Sequence, residues 1–463
     1  MRLLILISCG LIGFTARSQP VAIKSLTQQV QRLYNAQHAD SLYLLMSSAF
    51  RQQVPRAALR QFIASSYTQL GRWHRSDYVR QHDGFSEYRG IFDRDTMLVS
   101  IAADTGGKLA GFSLSPMIAS KQLTTDNRLR SPFDRVLDSL VRVHARQHLT
   151  IGMSIGLIRH DSLFVYNYGE TSRLNGQLPT DSTRYEIGSI SKTFTATLLA
   201  AMVRQKQVGL DDPINRYLPG FIPILQRNGA VVTMRMLANH TSGLPRLPRN
   251  LDNVGSPPDN PYQAYDDKAL FACLKTVSLA SKPGTTYQYS NLGAGLLGTI
   301  LSRVAGKSYD QLLSSIITGP LAMTQTTLTL RQVDRLQLAQ GYDETGQSTT
   351  NWDFQVLAGA GGIRSSVHDL LIYLRAELGN SPNQPSTAMQ MTQQITFQDK
   401  QTRVGLGWHQ TTTKTGWWHN GGTGGYASFT RFDPTAQTAL VILSNTAVSV
   451  DELALAISRL LVY

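Results

Sequence analysis

The chain has 463 residues, 42% of them hydrophobic and 16% charged. That length allows two or three domains with a sizeable core, and the composition excludes a disordered protein. The formal net charge of +13 suits anionic envelope polymers, but no basic helix with interleaved aromatics marks a nucleic-acid binder.

At the start, Arg2 precedes an apolar run from Leu3 to Phe14, followed by small and polar residues around Ala16 and Ser18. This is the pattern of a secretory signal over residues 1–18, too short to remain as a membrane span. Cleavage near Ser18–Gln19 is expected, leaving an exported protein, periplasmic or extracellular, with at most a loose envelope association. Leu6-Ile7-Ser8-Cys9 resembles a lipoprotein processing site, but Cys9 lies inside the apolar run, which favours plain cleavage. Without the signal, Cys273 is the only cysteine, so no internal disulfide can form. There is no four-thiolate zinc set and no His-Glu-x-x-His, and no metal or other cofactor is expected.

Residues 19–120 begin with helical patterning over 21–54 and 56–71 and change to alternating, strand-like runs over 86–116. Asp104-Thr105-Gly106-Gly107 reads as a turn between two strands. Helices followed by an antiparallel sheet make a small α+β accessory domain. By pattern alone it resembles the cone-shaped, nuclear-transport-factor-like domains. A His82-Asp83-Gly84 occurs here without neighbours that would make it catalytic.

Residues 131–463 alternate strands and helices. Leu149 to Tyr168 reads as two strands joined at His160-Asp161-Ser162, and Ser189 to Gln207 as one buried helix ending at Gly209. Further helices are expected over 293–304, 367–378 and 451–461, and strands over 402–410, 416–420, 426–432 and 439–445. Strands from both ends of the segment with helices between them predict an α+β sandwich, one antiparallel sheet covered by helices.

Ser189-Ile190-Ser191-Lys192 places a hydroxyl and an amine one helical turn apart, on one face. A serine alcohol becomes a nucleophile when an adjacent base takes its proton, and a desolvated lysine can be that base. Of the eleven lysines only Lys192 has a serine three residues before it. A serine cap followed by a surface lysine has the same local pattern, so the rest of the chain must decide.

Two further clusters follow in order. Tyr289-Ser290-Asn291 leads into a glycine-rich helix. A tyrosine titrates near ~10 and acts as a base only where cations stabilise the phenolate. Lys192 is the candidate cation, with Tyr289 taking a proton from Ser189 or passing one to a leaving group. Asn291 carries an amide able to bond a substrate carbonyl and to hold Lys192. His419-Asn420-Gly421-Gly422 opens a glycine-dense turn between strands, where a substrate can lie along a strand edge. The N–H groups of Ser189 and Gly422 are candidates for an oxyanion hole, and His419 for a donor or positive charge.

These three motifs, S-x-x-K, Y-x-N and H-x-G in that order, resemble the serine β-lactamase and penicillin-binding protein superfamily. The nearest branch is the class C β-lactamase, DD-peptidase and esterase group. YEIGSISKTFTA, TMRMLANHTSGLP, KPGTTYQYSNLGAGLLG, LAGAGGIRSSVHDL and HNGGTGGYASF support the resemblance. It implies a serine hydrolase with an acyl-enzyme on Ser189, Lys192 and Tyr289 managing protons, and no metal. The substrate stays open among β-lactams, D-amino-acid peptides of peptidoglycan type, amides and esters. A non-enzymatic envelope-binding protein retaining the fold is the alternative.

Two decoys are set aside. Lys414-Thr415-Gly416 spells the lysine form of the third motif, but the glycine-aromatic strand follows His419. Gly152-Met153-Ser154-Ile155-Gly156 matches a nucleophile elbow, yet lies within a strand pattern with another strand following. His240 reads as a residue holding its loop backbone. If His419 reads a substrate carboxylate, its ordinary pKa near ~6.5 predicts that KM for anionic substrates rises between about pH 6 and 8.

Overall fold

The structure is a computed structural model that describes residues 21–82, 84–94, 96–116, 123–160, 162–173, 175–379 and 386–461. The signal expected over residues 1–18, with Cys9, lies outside the described residues, as do Asp83 and Asp161. The chain divides into two units, Met1–Lys121 and Gln122–Tyr463.

In the first unit the helical pattern over 21–54 forms three helices, Val21–Asn35, Ala39–Leu45 and Ser48–Gln53. The first break comes where Gln37 turns left-handed and His38 N–H bonds back to the Leu33 carbonyl. The second comes where Ser47 accepts from Phe50 N–H as an N-cap. Helix Arg56–Leu70 leads into a four-stranded antiparallel meander, Trp73–His82, Phe85–Phe92, Thr96–Ala103 and Leu109–Pro116. In the predicted turn, Asp104 Oδ1 accepts from the N–H groups of Gly106 and Lys108. Val30, Tyr34, Leu42, Trp73, Val99 and Leu109 form its core.

In the second unit eight antiparallel strands make one sheet. Its order is Phe397–Gln398, Arg403–Val404, His409–Gln410, Trp417–Gly422, Ala427–Asp433, Thr438–Ser444, Gly152–Arg159 and Ser162–Gly169. Every residue of Thr438–Ser444 is buried, so the centre of the sheet is covered on both faces. Period two then sorts its side chains. Leu440 and Ile442 pack with Leu137, Val141, Leu453 and Ile457 of helices Pro132–Gln147 and Asp451–Leu460. Ala439, Val441 and Leu443 join the larger core with Phe194, Leu198, Val367 and Leu371. The predicted α+β sandwich is the architecture found.

Two local expectations fail. Residues 402–410 form two short strands, not one, because Gly405 N–H bonds the Trp408 carbonyl and Gly407 is left-handed, which folds the segment into a hairpin. The helix after Ser189 ends at Arg204, well before Gly209. Lys206 takes the left-handed position, with its N–H on the Val203 carbonyl and Gln207 N–H on Met202. No helix among the described residues is long and apolar enough to cross a membrane.

Candidate active site

Ser189 lies in a 3-10 turn, Gly188–Ile190, that runs directly into helix Ser191–Arg204. Three residues per turn eclipse positions i and i+3, which brings Lys192 over Ser189 more closely than an α-helix would. Lys192 Nζ donates to Ser189 Oγ at 2.9 Å and to the Ala360 carbonyl at 2.7 Å. That carbonyl belongs to the short helix Ala358–Gly361, whose small residues let its backbone approach helix Asn291–Ala305 closely. Only 3% of Lys192 is exposed. Burial first, and then the Arg246 charge, hold its pKa well below the ordinary lysine value, so the amine can be a neutral base.

Tyr289 lies beside the same hydroxyl, close enough for Ser189 to favour its phenolate. Its ring lies 4.8 Å from Lys192 Nζ and 5.2 Å from the Arg246 guanidinium carbon. Burial pushes the phenol up to about 12, although the neighbouring Ser189 hydroxyl and the Arg246 charge pull the other way. Tyr289 is therefore protonated at neutral pH. The expectation that Lys192 would turn it into a phenolate base is corrected, because Lys192 is itself desolvated.

Ser290 caps helix Asn291–Ala305, accepting from Gly293 N–H at 2.8 Å and donating to the Pro245 carbonyl at 2.7 Å. His240 holds this loop. Its Nδ1 accepts from Ser290 N–H at 3.2 Å, and its carbonyl accepts from Gln288 N–H at 2.7 Å. Asn291 lines the site near Tyr262, but its side chain makes no hydrogen bond to Lys192 and its Oδ1 has no partner among the described residues. The role of fixing Lys192, expected of Asn291, falls to the Ala360 carbonyl.

The third cluster lies on strand Trp417–Gly422, whose edge runs along the Ser189 turn. A Cβ on Gly421 would fall 2.1 Å from the Ile187 carbonyl and 3.0 Å from Ser189 N. One on Gly188, which is left-handed, would fall 2.6 Å from Gly422 N. Ser428 Oγ fastens the two segments by donating to the Ile187 carbonyl at 2.9 Å. The N–H-bearing atoms of Ser189 and Gly422 are thus brought to one place, with no side chain between them.

His419 is 1% exposed, and its Nδ1 lies 2.6 Å from the Asn420 carbonyl, which assigns the proton to Nδ1. Burial, then His409 and Lys192, push its pKa well below the ordinary histidine value. It is a neutral imidazole whose Nε2 is buried without a partner, so the expected charge and the expected titration between pH 6 and 8 are both corrected. His409 is likewise neutral, lowered to about 4 by burial and by Lys192, with Nε2 2.7 Å from the Tyr287 hydroxyl.

The cavity over these groups measures about 710 Å³. Ser189, Tyr289, Asn291, Gly421 and Gly422 line it, together with Arg246, Tyr262, Trp352, Trp418 and Asp451. The motifs did not announce this second group. Arg246 directly follows the HTSGLP stretch, and that adjacency is the one signal that could have found it. A larger polar groove of about 1150 Å³, between Ser302–Asp310 and Thr349–Val356, contains none of the motif residues. Of the decoys, Ser154 is fully buried and bonds Asn167 and Tyr185, and Lys414 is an exposed, left-handed turn residue. Among the described residues no cluster of three His, Cys, Asp or Glu could hold a metal.

The model of the Beta-lactamase family matches residues 137–463. The D-alanyl-D-alanine-carboxypeptidase/endopeptidase AmpH of Escherichia coli (strain K12) is 29% identical over 346 residues, covering 70% of this chain and 86% of its own. A β-lactamase of Pseudomonas fluorescens is 30% identical over 280 residues, covering 59% of this chain and 73% of its own. Among solved structures, a β-lactamase/D-alanine carboxypeptidase of Yersinia pestis, complexed with citrate, superimposes with a TM-score of 0.60 at 26% identity. That match covers 68% of this chain and 93% of the other.

Proposed function

The chain belongs to the Beta-lactamase family and is a serine hydrolase, and from that premise we propose that it works through a covalent acyl-enzyme on Ser189. The observation that carries the reading is the desolvated Lys192 amine 2.9 Å from Ser189 Oγ. Lys192 takes the hydroxyl proton as Oγ bonds the substrate carbonyl carbon. The resulting oxyanion lies against the N–H groups of Ser189 and Gly422. Tyr289 gives its proton to the leaving group as the scissile bond breaks, and recovers one from Lys192. Water then attacks the ester along the reverse path and releases the acid.

The substrate class in this proposal is a D-alanyl-D-alanine-type peptide or a β-lactam. Support comes from the carboxypeptidase and β-lactamase relatives and from a strand edge, Gly421–Gly422, bare enough for an extended acyl chain to pair with. Export belongs to the same proposal and is supported by the signal pattern ending at Ser18. Turnover of a D-alanyl-D-alanine-terminated peptide, a chromogenic cephalosporin and an activated ester tests it. The enzyme is expected to turn over at least one, and Ser189→Ala none. Equal rates in wild type and Ser189→Ala would end the proposal.

A further inference from the structure

The charges that line the catalytic cavity are unevenly placed. At the third-motif end His419 is buried and neutral, and His409 beside it is neutral as well. Asp451 lines the cavity there, anchored by Asn420 Nδ2, which donates to its carboxylate at 2.9 Å. It opens helix Asp451–Leu460, so the anion-favouring start of that helix already holds the carboxylates of Asp451 and Glu452. A second carboxylate brought to this end would meet a like charge and no cation.

At the second-motif end the situation is reversed. Arg246 is exposed, lines the cavity and makes no ion pair among the described residues. Its backbone is pinned, the carbonyl accepting from Asn291 N–H at 2.8 Å. The guanidinium lies against the face of Tyr289, whose ring also lies 4.8 Å from Lys192 Nζ. Guanidinium stays charged at every pH of interest and binds carboxylates through paired donors.

We propose that Arg246 is the specificity-determining residue that holds the carboxylate of an anionic acyl donor, while Asp451 bars that carboxylate from the third-motif end. The inference rests on the acyl-enzyme reading and adds the charge and orientation of the substrate. Lys192 does not compete for the anion, since it is buried and already bonded to Ser189 and Ala360.

The test compares a D-alanyl-D-alanine-terminated peptide with its C-terminal carboxamide, a matched anionic and neutral pair. In Arg246→Gln the ratio of kcat/KM, anionic over neutral, should fall about tenfold or more, chiefly through KM, as expected on losing a charge-assisted pair. Arg246→Lys should lie between, and Asp451→Asn should raise the ratio. A parallel loss on both substrates in Arg246→Gln would overturn the proposal and leave Arg246 as a support for Tyr289. So would an unchanged ratio in Arg246→Gln together with a fall in Asp451→Asn. If wild-type Ser189 is acylated by a penicillin or an activated ester but by neither peptide, this proposal fails while the acyl-enzyme reading stands; if none of these reagents acylates it, that reading itself fails.

Discussion

Replacing Lys192 with methionine keeps an unbranched chain of similar length and removes the amine that touches Ser189 at 2.9 Å. General-base assistance contributes roughly 10²–10⁴-fold. At about 1.4 kcal/mol per tenfold, the acylation barrier should therefore rise by about 3–5.5 kcal/mol. Stability responds differently. The variant leaves Ser189 and the Ala360 carbonyl short of one donor, a cost of about 1–3 kcal/mol for buried groups. Against that, wild type carries a buried amine whose pKa is depressed. Its unfolded chain binds a proton that the folded chain does not, so wild-type stability rises with pH up to the ordinary lysine pKa. Lys192→Met loses that slope, and its stability relative to wild type should be greater at pH 6 than at pH 9. Stopped-flow acylation by an activated ester measures the first effect, and urea unfolding at both pH values the second. Acylation within tenfold of wild type, or a stability difference that does not vary with pH, would refute the reasoning.

Three other outcomes are expected. Tyr289→Phe should slow a peptide or amide about a hundredfold and a p-nitrophenyl ester less than tenfold, since that leaving group needs no proton; equal losses would contradict the assignment of a proton donor. Gly421→Ala puts a Cβ 2.1 Å from the Ile187 carbonyl, so the strand edge must shift; acylation should collapse with a destabilisation of about 2 kcal/mol or more, seen by ester kinetics and thermal unfolding. Glu377, fully buried against Gln393 and Trp408, is pushed up to about 8 by burial. Between its ordinary 4.5 and that value the folded state holds a proton the unfolded chain releases, so wild-type stability falls with rising pH. Glu377→Gln should gain on wild type from pH 5 to pH 8 by a few kcal/mol, at about 1.4 kcal/mol per pH unit, and parallel urea-unfolding profiles would contradict this.

The parts of the site that were legible in the sequence are those built from local spacing. Ser189 and Lys192 are one turn apart, so their meeting depends on three residues. The strand expected over 439–445 is found at Thr438–Ser444, and the covered sheet was legible in the chain order, strands at both ends of the segment with helices between them. What escaped notice is carried by distant chain. The Ala360 carbonyl that holds Lys192 comes from 168 residues away, through a backbone atom that no residue type announces. Arg246 lies over Tyr289, a contact between two loops that no spacing encodes. Electrostatics was the least legible of all. Lys192 was expected to lower the Tyr289 phenol and His419 was read at its solution value, whereas burial, which only the folded chain supplies, pushes Tyr289 up and His419 down. The hairpin at 402–410 was within reach, since Gly405 and Gly407 inside a strand pattern signal a bend.

The central claim is that Ser189 becomes acylated with Lys192 as its base. Intact-mass and peptide-mapping spectrometry after brief exposure to a penicillin and to an activated ester tests it directly. The account predicts one acyl adduct on Ser189, absent in Ser189→Ala and strongly slowed in Lys192→Met. An adduct on another residue, or none with either reagent, would contradict it.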